Sequence, residues 1–171
     1  LFSVIGNYSL LLGLFFGLFL FYFSAINFRN SKVLDTKILS FTFLQFFLVV
    51  ISFLCLVLSF IISDFSNETV YNNSHTTKPL FYKISGTWGN HEGSLLLCLL
   101  ILVFFIFIFL ITSRKEPKKY RIITLLFQEI IIIGFFLFLL ITSNPFNHLF
   151  PIPQEGLGLN PILQDPILAI H

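Results

Sequence analysis

Four apolar runs, each about as long as a bilayer is thick, constrain this chain more than any other feature. They are Val4 to Ile26, Ile38 to Ser63, Gly93 to Ser113 and Ile122 to Ser143, and Glu129 is the one charged residue in any of them. A helix rising 1.5 Å per residue crosses a ~30 Å hydrocarbon layer in about 20 residues. A soluble core does not need so much apolar surface. Charged residues make up 11% of the chain, against roughly 25% in soluble domains. The expected fold class is an all-α integral membrane protein with four transmembrane helices: residues 1–143 form the membrane region, with loop 64–92 on one side. Residues 144–171 form a separate segment outside the bilayer. The first run has no basic n-region and no A-x-A-like cleavage site, so it reads as a membrane helix and not as a cleaved signal peptide.

The net charge of +2 matters less than where the charges fall. Of the ten Lys and Arg, eight lie between the first and second runs or between the third and fourth: Arg29, Lys32, Lys37, Arg114, Lys115, Lys118, Lys119 and Arg121. The positive-inside rule places those two loops in the cytoplasm or matrix. The opposite side then holds both termini, loop 64–92 and tail 144–171, an N-out, C-out topology.

These two outer segments carry all four histidines: His75, His91, His148 and His171. Five prolines in the tail rule out one continuous helix. Asn160-Pro161 and Asp165-Pro166 pair a capping side chain with Pro at the first helical position, so short surface helices are expected there. Cys55 and Cys98 lie inside spans and read as small buried hydrophobes. The 25 Phe and the absence of Met, beside abundant Ile, Asn and Lys, suggest AT-rich codons, an organellar genome, and a non-standard start, a lost initiator or a partial reading frame.

Thr87-Trp88-Gly89-Asn90-His91-Glu92-Gly93-Ser94 leads into the third run. One reading is interfacial: Trp88 anchors at headgroup depth, the glycines turn the chain, and Asn90 or Ser94 caps the helix. The other is functional, because a His91-Glu92 pair at the lip of a membrane helix could orient an imidazole for proton transfer or ligation. Glu129 lies about 10 Å into the fourth run and reads as structural rather than as a proton relay, with Gln128 a candidate partner. His75 and His148 have no carboxylate within four residues and read as solvated. Asn7, Asn67 and Asn72 begin glycosylation sequons that matter only in a secretory pathway. Gly156-Leu157-Gly158 is a turn. No Cys-His metal pattern, nucleophile elbow or basic nucleic-acid patch appears in the sequence, and no nucleic-acid partner is expected.

Two long stretches, Pro79 to Leu97 (PLFYKISGTWGNHEGSLLL) and Glu155 to His171 (EGLGLNPILQDPILAIH), together with Gly6-Asn7-Tyr8-Ser9-Leu10 near the start, resemble the amino-terminal part of the CcmF family. CcmF proteins are the haem lyase subunits of system I cytochrome c maturation. In that family the Gly-x-x-Leu-Asn-Pro-x-Leu-Gln segment opens a tryptophan-rich WWD domain that presents haem on the outer face. The resemblance implies that His171 is an axial ligand of haem b, the metal being the haem iron, with Trp88, His91 and Glu92 supporting the site.

The same resemblance implies a role in cytochrome c biogenesis: haem received from CcmE is attached covalently to apocytochrome c. Further implied partners are a CcmH-type protein and the lipid bilayer. The family's Pro-Pro, tryptophan-rich loop and remaining haem-ligating histidines are not in these 171 residues. A companion CcmF chain from a split gene is therefore expected, or a longer chain, and the isolated chain is not expected to be an active enzyme. The expected location is the mitochondrial inner membrane with the outer segments in the intermembrane space, the bacterial inner membrane being the alternative. A second function class stays open, a non-catalytic scaffold subunit of an organellar membrane complex.

Overall fold

The computed structural model describes residues 1–27 and 34–158. Four long helices, α1 (Phe2–Asn27), α2 (Leu34–Ile61), α5 (His91–Thr112) and α6 (Lys118–Ile141), coincide with the four apolar runs. All four are long and apolar enough to cross a membrane. Two short helices, α3 (Glu68–Asn73) and α4 (Leu80–Gly86), fold within the loop that joins α2 to α5, and a single 3-10 turn (Ser113–Lys115) joins α5 to α6. Among the described residues there is no strand, only an isolated antiparallel bridge between Asn67 and His148.

The long helices form a ring: α1 packs on α2 and α6, and α5 packs on the same two. Leu10, Leu20, Val49, Leu56, Leu99, Ile106, Leu125, Ile132 and Phe136 fill its centre, while Phe15, Phe105 and Phe127 project outward. Lipid tails are as apolar as these side chains, so outward Phe costs nothing there, and helix association depends on close packing. Gly13 provides such an approach, since a Cβ at that position would come within 2.9 Å of the Phe136 ring. The buried hydroxyls of Thr42 and Ser59 bond back to their own helices, Thr42 Oγ1 to the Ile38 carbonyl at 2.9 Å and Ser59 Oγ to the Cys55 carbonyl at 2.9 Å. That satisfies them where water is absent.

At the basic end, Arg121 is buried and reaches from α6 to the end of α5. Its Nη2 donates to the Leu110 carbonyl at 3.0 Å and its Nε to Ser113 Oγ at 3.2 Å. A cation there meets the negative end of the α5 dipole. Helix α6 accordingly begins at Lys118, a turn before the apolar run starts, because its first residues belong to the interface. At the other end α2 stops where Ser63 takes a left-handed conformation (φ 56°) and Asp64 N donates to the Ser59 carbonyl at 3.0 Å, a Schellman-type closure.

Two expectations need correction or restriction. Cys98 is exposed, whereas Cys55 is buried; Leu96 and Leu99 take the inward positions of that α5 turn, and Cys98 falls between them on the outer face. Arg29, Lys32, the helix starts expected at 160 and 165, and His171 lie outside the described residues.

Candidate functional site

The start of α1, the α2–α5 loop and the tail meet at one end of the bundle, and one side chain joins them. Asn67 is fully buried. Its Nδ2 donates to Ser3 Oγ at 3.1 Å and to the Pro145 carbonyl at 2.9 Å, while its Oδ1 caps α3 by accepting from Val70 N at 3.2 Å. A sequon asparagine in that position is inaccessible to a glycosyltransferase. Nearby, Asn144 Nδ2 donates to Asn7 Oδ1 at 3.1 Å, and Phe146 is buried against Gly6 of α1.

From this joint the tail runs back along the loop, tied by main-chain bonds. Glu68 N donates to the Asn147 carbonyl at 2.9 Å, Leu149 N to the Ser66 carbonyl at 2.9 Å, Leu157 N to the Tyr71 carbonyl at 2.8 Å and Gly158 N to the Ser74 carbonyl at 3.1 Å. Gly156 is required by this approach, because a Cβ there would run into the Ser74 carbonyl. Gly158 has φ +94°, a conformation that suits glycine.

Glu155 fastens the same contact. Thr76 donates to it through its backbone N–H at 3.0 Å and its hydroxyl at 2.9 Å, and the backbone donor above all holds the Glu155 carboxyl below the ordinary carboxylate range. His75 Nδ1 accepts from the Thr77 amide at 3.3 Å, so in the neutral ring the hydrogen sits on Nε2, which lies 3.8 Å from Glu155 Oε1. The expectation that His75 is merely solvated is therefore corrected. Its carboxylate partner is absent from the local sequence because it lies 80 positions away. His148 is exposed, as read.

The Trp88–Ser94 segment is a joint between two helices. Asn90 Oδ1 accepts from Gly93 N at 2.7 Å and caps α5, while its Nδ2 donates to the Gly86 carbonyl at 2.7 Å and the Thr87 carbonyl at 3.2 Å at the end of α4. Of the two capping candidates, Asn90 performs the role. Gly93 packs so closely on Thr87 that a Cβ would overlap its carbonyl.

His91 and Glu92 are not brought together, because neighbours on a helix point about 100° apart. The exposed His91 ring instead lies edge-on to Phe138 of α6, at 6.5 Å and 84°. Trp88 is half-buried beside Asn90 in this joint. Among the described residues no three His, Cys, Asp or Glu converge in a metal-binding cluster.

Glu129 is fully buried, and its partner is Gln45 of α2, whose Nε2 donates to Glu129 Oε2 at 3.2 Å. Gln128, the neighbour in sequence, has a buried Oε1 with no hydrogen-bond partner among the described residues. The partner expected at Gln128 is thus replaced by Gln45.

Comparison with known proteins decides the family. Residues 88–171 match the family described as Cytochrome C assembly protein. The "Cytochrome c-type biogenesis protein CycK" of Rhizobium meliloti (strain 1021) is 48% identical over 126 residues, covering 74% of this chain and 19% of that protein. The "Cytochrome c-type biogenesis protein CcmF" of Escherichia coli (strain K12) is 42% identical over 132 residues, covering 77% of this chain and 20% of that one. The chain belongs to the cytochrome c assembly protein family.

Within it, the "Cytochrome c-type biogenesis protein CycK" of Bradyrhizobium diazoefficiens extends the match to 97% of this chain, at 42% identity over 170 residues and 25% of that protein's length. The chain thus spans about a fifth to a quarter of the curated relatives it matches. The solved structure titled "Cytochrome c Heme Lyase CcmF" superposes with a TM-score of 0.72 at 23% identity, over 85% of this chain and 25% of that one. At that identity the superposition concerns the fold.

Proposed function

We propose that this chain forms the amino-terminal membrane piece and outer-face platform of a CcmF-type haem lyase. The observation that carries the reading is the 48% identity to a cytochrome c-type biogenesis protein over three quarters of the chain. The ties from Tyr71, Ser74 and Thr76 to residues 155–158 support it, because the loop and tail that resemble the family form one folded unit.

In this reading the chain would take haem b from CcmE, and His171 would hold it through its imidazole. The donor chemistry of this end of the bundle suits the group: it carries imidazoles, which ligate haem iron through a neutral nitrogen, and the His91 ring accepts no hydrogen bond among the described residues. Haem b bound there would supply vinyl groups able to accept the apocytochrome thiols. The chain holds the tail in place, and a companion CcmF segment completes the site beside a CcmH-type partner. The membrane is the mitochondrial inner membrane, with the platform in the intermembrane space.

The test is to purify the complex with its companion segment and compare the absorption spectra of wild type and His171→Ala. The variant is expected to lose bound haem and to lower cytochrome c levels. Unchanged haem content and cytochrome c levels would sink the ligand assignment and favour a scaffold role.

A further inference from the structure

The bundle interior contains a polar pair that the proposed function does not use. Glu129 on α6 and Gln45 on α2 are both fully buried and joined by one hydrogen bond of 3.2 Å. Gly17 of α1 closes the third side: a Cβ there would come within 2.8 Å of Gln45 Nε2 and 3.3 Å of Glu129 Oε2. Both polar residues lie within membrane-crossing segments, where unmet hydrogen-bonding groups find no water.

Two oxygens of the pair, Glu129 Oε1 and Gln45 Oε1, have no donor among the described residues. An ionised carboxylate leaves both unmet, since it can only accept. Among the described residues no cation pairs with it. Helix α1 carries no charged residue, and its titratable groups are Tyr8 and Tyr22, both exposed. On α5, His91 and Glu92 stand in the first turn, with the exposed Cys98 farther along. On α2, Lys37 is eight positions from Gln45, about 12 Å along the axis, and Cys55 lies ten positions the other way. On α6, Arg121 is eight positions from Glu129 and is engaged with Leu110 and Ser113.

A single hydrogen on Glu129 Oε1 answers both orphan oxygens. It donates to Gln45 Oε1 while Gln45 Nε2 donates back to Glu129 Oε2, giving a cyclic acid–amide pair. We propose that Gln45 and Glu129 form a membrane-embedded proton-binding site, in which one proton held by the Glu129 carboxyl joins α2 to α6 beside Gly17. This assignment is independent of the haem reading, since it uses neither the outer loop nor His171.

Infrared spectroscopy of the full chain in lipid nanodiscs tests it. The other Asp and Glu lie outside the apolar runs. The expected spectrum shows a protonated-acid carbonyl band at neutral pH that Glu129→Gln removes and Gln45→Leu shifts. Thermal unfolding should leave Glu129→Gln close to wild type, because an amide repeats the two-bond ring, while Glu129→Ala unfolds at a lower temperature. Absence of a Glu129-dependent band overturns the proposal. So does a band that ignores Gln45→Leu, or a Glu129→Gln protein as unstable as Glu129→Ala.

Discussion

Phe146 lies against Gly6 so closely that a side chain on Gly6 would occupy the space of its ring. The tail is thus packed on the first helix as well as bonded to the loop. Gly6→Val is expected to cost about 1–3 kcal/mol through overpacking, and Phe146→Ala about 3–5 kcal/mol through the cavity it leaves. The two should be strongly non-additive, with Gly6→Val milder in the Phe146→Ala background. Thermal unfolding of the four proteins of that cycle in nanodiscs reads the coupling directly; additive losses would refute the contact.

Asn67→Ala removes the cap of α3 together with the bonds to Ser3 and Pro145. The Pro145 carbonyl then loses a donor, at about 1–3 kcal/mol for a buried group. Hydrogen exchange should accelerate at Glu68 N, Leu149 N and Leu157 N, which tie the loop to the tail, and stay unchanged in the middle of α5. Unaltered exchange at those amides would show that the asparagine does not join the segments.

Asn90→Ala should cost about 1 kcal/mol as a lost helix cap and free the α4 carbonyls that its amide meets. Gly93→Ala should be worse, since the Thr87 carbonyl stands where the new methyl would go. Amide exchange in the first turn of α5 distinguishes them. Both variants should raise it, Gly93→Ala the more. Equal, wild-type exchange in both would count against the joint.

The Glu155 clasp sets a pH dependence. The folded carboxyl lies below its ordinary value of 4.5, so its contribution is complete above that value and fades as acid titrates the folded group. The slowed exchange of Leu157 N and Gly158 N should therefore hold at neutral pH and decline on acidification below 4.5. Glu155→Gln should lose most of that dependence. A Glu155→Gln profile identical to wild type would remove the carboxylate from the account.

The four membrane helices were readable because unbroken apolar runs leave few alternatives in length or environment. Their ends were less so: Lys118 and Lys119 are charged yet helical, since interfacial side chains can reach water while their backbone continues the helix. Helices α3 and α4 leave no clear mark in the sequence, because six or seven residues hold little periodicity. Asn67 was visible as the start of a sequon, although the same Asn followed by Glu68 is a capping signal. The Glu129 partner is not the adjacent Gln128, since helix geometry turns adjacent side chains apart and brings in Gln45 from 84 positions away. The clasp of Glu155 on Thr76 has no local signature at all, being set by how two outer segments lie together.

The convergence on Asn67 also orders events during synthesis. Ser3 and Asn67 leave the ribosome early, but the Pro145 carbonyl follows Asn67 by 78 positions, a delay of about 4–16 s at 5–20 residues per second. For that interval the Asn67 amide lacks its final acceptor. The joint between loop and tail can close only after α6 has been made, so a nascent chain halted before residue 145 would display this surface unassembled.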